Sequence, residues 1–435
     1  MDGFHAIFRV LFLVQYIKRR RRAVALSENF YSIMDPRRRP GSKKQNLDKG
    51  KGRSSSHPPT ERGSLEALKS KSLYMCTSEL YSNFHSKWVV HRIRMSDILS
   101  SPSPSPSPSP SSPSSSGSAK IHLNQVATES GSLPCDAGCG VFKSTIFFGG
   151  GLEMEKTDFA SYDGPPLSKR MFYVEEGHQR VKPFFPSLIG GKEAPLLLEI
   201  KGELYVIDGD QFKREYDEER FERFDEQSNQ WKPLPRPPIW DRSSKYYHTQ
   251  IGLTSVITDS SILISRPRKT TPIFRFDFTS PNAGWSETKL KYFPFKGTTL
   301  VHKCPYRGGF IISTIDVCPE GDRNRFPRIK LYRMSEGYDR LNLLGTMELP
   351  STDYLSPVFT IPDTHTFLDL GDQRVGLVLT KDDNEMLKFL VATFQYKISP
   401  FSYECLSEPV ELEYDVLVHP EPRTQMVDLL GAFVL

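Results

Sequence analysis

The sequence predicts an all-β fold assembled from repeated four-stranded antiparallel units, and three observations carry that prediction. First, Leu196–Pro235 holds one complete unit. An apolar run, Leu196–Ile200, is followed by a Lys201-Gly202 turn and a second run, Leu204–Ile207. After a break at Asp208-Gly209-Asp210 come Phe221–Asp225, a polar turn from Glu226 to Gln230, and Trp231. Second, Ile251–Leu290 repeats the layout: Phe276-Asp277, the turn Thr279–Gly284 and Trp285 reproduce Phe224-Asp225 and Trp231. Third, strand landmarks recur about every 50 to 60 residues, a period of repeat architectures rather than of one continuous sheet.

Further copies follow in order, each less complete. Ser144–Gly151 is a strand ending in glycines, and Arg170–Val174 continues it into a first unit. Thr254–Thr258 and Ser261–Ser265 alternate as half-buried strands do. Arg307–Ser313, Arg328–Arg333 and Leu343–Leu349 form a unit whose last strand lacks tryptophan. Thr366–Leu370, Val375–Leu379 and Phe389–Tyr396 form another. Val410–Val418 is expected either to close the ring or to begin a further unit, so the count is five or six. A four-stranded unit leaves both faces apolar. Large aromatics on its third and fourth strands therefore need a neighbouring unit to pack on. Gly209, at the end of a second strand, is expected to adopt a backbone conformation that a β-carbon would obstruct.

This pattern resembles the kelch-repeat β-propellers, particularly the divergent kelch-type proteins of land plants. The resemblance rests on Gly209, Phe224, Trp231, Phe276 and Trp285; Asp208-Gly209 stands where the family has two glycines. It implies a propeller of four-stranded blades over residues 140–435, and a rigid, non-enzymatic platform that binds another protein through loops on one face. Tyr216, Arg220, Arg323 and Arg325, in charged insertions between strands, are the expected contact residues. Many relatives join a ubiquitin ligase through an F-box, and residues 1–140 hold no such pattern, although a ubiquitin-ligase component stays among the partners the resemblance implies. The alternative is an axial site for a small molecule or sugar, or an oxidase-like centre.

The first 139 residues read differently. Residues 1–120 hold 21 basic against 8 acidic side chains, leaving 36 against 44 in the remainder: a basic arm on a mildly acidic domain. Residues 1–33 are expected to be an unstructured or amphipathic leader, because the cations of Lys18–Arg22 follow the apolar run instead of preceding it. Translation from Met34 would omit that segment. Residues 34–139 are expected to be disordered, since the Ser-Pro tract from Ser100 to Ser118 has nothing apolar to bury. Trp88–Leu99 is the apolar stretch closest to an F-box pattern, but it is short and suits a single amphipathic helix.

Chemistry-bearing motifs are sparse. Arg37–Arg53 would attract phosphate, yet without interleaved aromatics it suits nuclear import or a solvated arm better than specific nucleic-acid recognition. Cysteines 76, 135, 139, 304, 318 and 405 have no disulfide rhythm, and Cys135 with Cys139 lacks the second pair that a metal site needs, so reduced thiols in the cytoplasm or nucleus are expected. His178, His248, His302, His365 and His419 recur near the repeat length but fall at unmatched positions. Neither a nucleophile elbow nor a phosphate-binding loop is present, and no transmembrane run, cofactor or metal site is expected.

Overall fold

The computed structural model describes residues 61–81, 85–99, 124–154, 165–175, 179–209, 219–240, 253–266, 272–295, 297, 299–304, 308–316, 328–348, 365–371, 374–383, 386–398, 403–405, 410–416 and 424–435. They form a six-bladed β-propeller of four-stranded antiparallel blades. From the axis outward, blade I is β4 (Gly138–Phe142), β5 (Thr145–Gly149), β6 (Met171–Val174) and β7 (Lys182–Phe184). Blade II is β8 (Leu196–Ile200), β9 (Glu203–Ile207), β10 (Phe221–Asp225) and β11 (Gln230–Pro233). Blade III runs through β12 (Thr254–Ile257), β13 (Ser261–Ser265), β14 (Phe274–Asp277) and β15 (Trp285–Glu287). Blade IV has β16 (Leu300–Lys303), β17 (Phe310–Asp316), β18 (Arg328–Met334) and β19 (Leu341–Glu348).

Blade V contains β20 (His365–Asp369), β21 (Arg374–Asp383) and β22 (Met386–Ile398), and two segments share its outer edge. β23 (Tyr403–Cys405) pairs with one end of β22 and β24 (Val410–Val416) with the other. Val410–Val416 therefore neither closes the ring nor opens a new blade. Closure belongs to blade VI. There the C-terminal β25 (Thr424–Val434) is innermost, followed by β1 (Ser72–Tyr81), β2 (Ser86–Arg94) and β3 (Asn124–Gly131). The ladder runs from Leu73 opposite Val434 to Tyr81 opposite Thr424.

The boundary expected at residue 140 is thus misplaced, and 34–139 is not a single disordered region. Residues 72–94 and 124–131 supply three strands of the ring. The expected helix over Trp88–Leu99 is mostly β2. Only Met95–Leu99 is helical (α2), and a nine-residue helix, Glu61–Lys69 (α1), precedes β1. The Ser-Pro tract and the leader lie outside the described residues; in sequence the tract falls between α2 and β3.

Six apolar clusters sit between successive blades and account for the strand patterns. Second strands are sandwiched on both sides, and in β13 every residue is buried, Ser261 and Ser265 included. Outer strands alternate, and in β11 only Trp231 is buried. On β9, Leu204 and Val206 face blade I while Tyr205 and Ile207 face blade III, the two-residue period dividing one strand between two clusters. The β4–β5 and β8–β9 hairpins turn through Lys143-Ser144 and Lys201-Gly202. All four residues have positive φ, as the two-residue turns that match strand twist require.

Phe224 stands opposite Trp231, and Phe276 opposite Trp285, with ring centroids 5.3 and 5.2 Å apart. Both pairs pack on the preceding blade. Each indole N–H donates to a proline carbonyl two residues beyond the preceding blade's outer strand: Trp231 to Pro186 at 2.9 Å and Trp285 to Pro235 at 2.7 Å. Gly209 has a negative φ, so no left-handed backbone requires it. It is glycine because a β-carbon there would lie 1.9 Å from the Ala194 carbonyl oxygen.

Candidate functional site

Antiparallel order sends connections to the two faces of the ring in alternation. One face carries the turns between first and second strands and between third and fourth. In blades I to III these turns span no more than Glu175–Val181 and Phe278–Gly284. On the opposite face lie the strand ends from which depart the connections between second and third strands, 150–170, 208–220, 266–273 and 317–327, and the crossings between blades, 185–195, 234–253, 288–299 and 349–364. Long connections of blades I to IV therefore leave from one face, which we call the loop face.

Tyr216, Arg323 and Arg325 belong to loop-face connections and lie outside the described residues. Arg220 does not fit the role expected of it. It is 4 % exposed and its guanidinium pairs with Asp208, which is wholly buried and also accepts the Glu193 N–H at 2.8 Å. Arg220 is a brace, because an arginine committed to a buried carboxylate is not presented to a partner.

That ion pair is half of a buried cluster at the roots of the loops. Lys192, on the crossing from blade I to blade II, pairs with Glu222 of β10, and both side chains are fully buried. Lys192 Nζ also donates to the carbonyls of Gly190 (3.1 Å) and Glu219 (3.0 Å). Glu222 accepts the N–H groups of Ile189 (2.8 Å) and Gly190 (2.9 Å). Burial pushes the Lys192 ammonium down from its ordinary range, opposed by Glu222. It pushes the Asp208 carboxyl up, opposed chiefly by Arg220. Blade I repeats the device: Glu153 accepts from Ser168 Oγ (2.6 Å) and from Arg170 Nε (2.9 Å) and Nη2 (2.8 Å). Arg170 and Arg220 each stand one residue before a third strand.

Lys192 and Glu222 escaped the sequence reading, although a signal existed. Glu222 shares the core-facing parity of Phe224, and a charge at such a position requires a buried partner. Its partner lies 30 residues away on a loop, which periodicity cannot locate.

Two of the five histidines meet the inner ring. His302 on β16 and His365 on β20 stand on innermost strands of adjacent blades; His178, His248 and His419 lie outside the described residues. His302 Nε2 is 3.2 Å from the Asp369 carboxylate, whose pKa it holds down, and His365 meets the Phe367 ring edge-on. Among the described residues no three His, Cys, Asp or Glu side chains gather as metal ligands, and no helix is long and apolar enough to cross a membrane.

A family model described as "Protein of unknown function (DUF1668)" matches residues 159–301, from the loop-face connection of blade I into β16. That span contains the Lys192–Glu222 and Asp208–Arg220 pairs. No curated protein matches the chain. Solved structures similar to it include that of YjhT (9% identity, TM-score 0.41, covering 77% of this chain and 97% of that one). A glycosyl hydrolase from Bacteroides ovatus shares 10% identity at a TM-score of 0.32, covering 68% and 86%. Saccharomyces cerevisiae Sqt1 shares 7% at 0.29, covering 76% and 93%. Likenesses of this size transfer no activity.

Proposed function

We propose that this propeller is a non-enzymatic protein-binding platform that recognises its partner through the loop face, in the manner of kelch-type propellers. One observation carries the reading: the long connections of blades I to IV leave from a single face, and ion pairs, those of Lys192–Glu222 and Asp208–Arg220 buried, fix the roots of three of them. A braced root limits the entropy lost when a loop is ordered on a partner. The buried carboxylates of Glu153, Asp208 and Glu222 are already engaged by cations and N–H donors, which favours a structural over a catalytic use. A ubiquitin-ligase component is one partner class this reading includes, in the cytoplasm or nucleus.

The test is quantitative affinity capture from native extract with the full chain in three forms: unchanged, loop-face reversed (Lys213→Glu, Arg214→Glu, Arg323→Glu, Arg325→Glu) and turn-face altered (Lys201→Glu, Gln227→Arg). Circular dichroism confirms that each is folded. The loop-face form should lose a discrete partner set that the other two retain, and ligase subunits within that set would place the protein in ubiquitin transfer. Identical captures from all three forms would refute the proposal.

A further inference from the structure

We propose that Cys76 and Cys139 are a disulfide-forming pair that fastens the closing blade to blade I. Cys76 lies on β1, where its ladder partner on β25 is Gly431. Residues paired across a ladder project to the same side of the sheet. That side faces blade I, since Tyr74, Cys76, Trp88 and Val90 share a cluster with Ile146 and Phe148. Gly431 has no side chain, and the space beside it is taken by the Phe433 ring and by Cys139 of β4. The Cys139 β-carbon lies 3.6 Å from the position a β-carbon of Gly431 would take. This approach packs Cys139 against the same cluster that holds Cys76. Both are free thiols here, Cys76 buried and Cys139 partly exposed.

The exposure difference orders the chemistry. With a small disulfide such as oxidised glutathione as oxidant, the Cys139 thiolate attacks one sulfur and releases one reduced glutathione. The Cys76 thiolate then displaces the second from the mixed disulfide. Two protein thiols give up two electrons and two protons, and two molecules of reduced glutathione leave. Burial and the neighbouring Cys76 thiol push the Cys139 thiol up, so the rate should climb as pH rises through the alkaline range. The cross-link would enclose residues 77–138, including β2, the Ser-Pro tract and β3, and would hold blade VI on blade I even when β25 frays.

The full chain is equilibrated in glutathione buffers of graded redox ratio, alkylated, and mapped by mass spectrometry without reduction. The tryptic fragments are 72–87, with Cys76, and 121–143, with Cys135 and Cys139. We expect the two fragments to be linked, the link to survive Cys135→Ser and to vanish in Cys139→Ser. In the unchanged chain Cys76 and Cys139 should lose alkylation together with one midpoint, and the oxidised form should melt at higher temperature. A folded chain that forms no such link at any ratio, a link that follows Cys135, or independent midpoints for the two thiols would overturn the assignment. The alkylation readout needs no variant, so the result stands even if a serine substitution fails to fold.

Discussion

Gly209 and Gly202 separate two reasons for a glycine. Gly209 has negative φ but meets the Ala194 carbonyl, so Gly209→Ala must displace backbone. Gly202 has a φ of 76° with open space around it, so Gly202→Ala should cost only the left-handed penalty of about 1–2 kcal/mol. Urea unfolding should rank Gly209→Ala as the more damaging change. The same assay addresses the aromatic anchors. Trp231 and Phe276 are buried, and truncation of either to alanine should cost about 3–5 kcal/mol. Trp285 is only partly buried and should cost less. Glu222→Ala should be comparably severe, about 3–5 kcal/mol, because it strands the buried Lys192 ammonium as well as two loop N–H groups. These aromatic positions were legible in the sequence because their spacing repeats. Arg220 was misread because a charged residue flanked by charges looks solvated until Asp208 is placed against it.

Turns between third and fourth strands share a device at the level of the element. Asp225 accepts from Gln227 N–H (3.2 Å) and Ser228 Oγ (2.8 Å) and pairs with Lys232. Asp277 accepts from Thr279 N–H (2.8 Å) and Oγ1 (2.6 Å). Asp339 accepts from Ser335 Oγ (2.5 Å). Each carboxyl is held below its ordinary range by these donors, Asp225 at about 2, with Lys232 the largest influence. The folded state thus binds a proton less readily than the unfolded one. The stabilisation is present above the ordinary carboxylate value and is lost as pH falls through the depressed one. Melting temperature should fall between about pH 4 and pH 2, and Asp225→Asn with Asp277→Asn should flatten that limb. Strand identity was readable in blades I to V because their second strands carry apolar runs such as Leu204–Ile207 and Ile262–Ile264. β1 and β2 were not, because Ser72–Tyr81 mixes polar and apolar residues, and Trp88–Leu99 joins a strand directly to a helical turn.

Ring closure sets the behaviour of the whole molecule. A fragment of residues 140–435 lacks β1, β2 and β3, leaving β25 without its ladder and one face of blades I and V without a neighbour. Exposed strand edges of that kind promote association. The fragment should run as aggregate in size-exclusion chromatography and lose the cooperative melt of the full chain. A compact, cooperatively melting fragment would show that five blades suffice. The loop-face asymmetry belongs to this scale as well. It follows from strand order and is invisible within any one repeat.

The sequence by itself determined the all-β class, the four-stranded unit, its period, the aromatic pairs between blades and the turn residues, because each depends on contacts within one unit or on a local backbone preference. Only the tertiary structure decided that six blades close the ring, that the last strand completes blade VI beside the first three, and that Lys192, Asp208, Arg220 and Glu222 are interior. The closing ladder joins Leu73 to Val434. Nothing local in either strand encodes such a partner; it is selected by the geometry of the ring and by the burial of two faces that no other strand can cover.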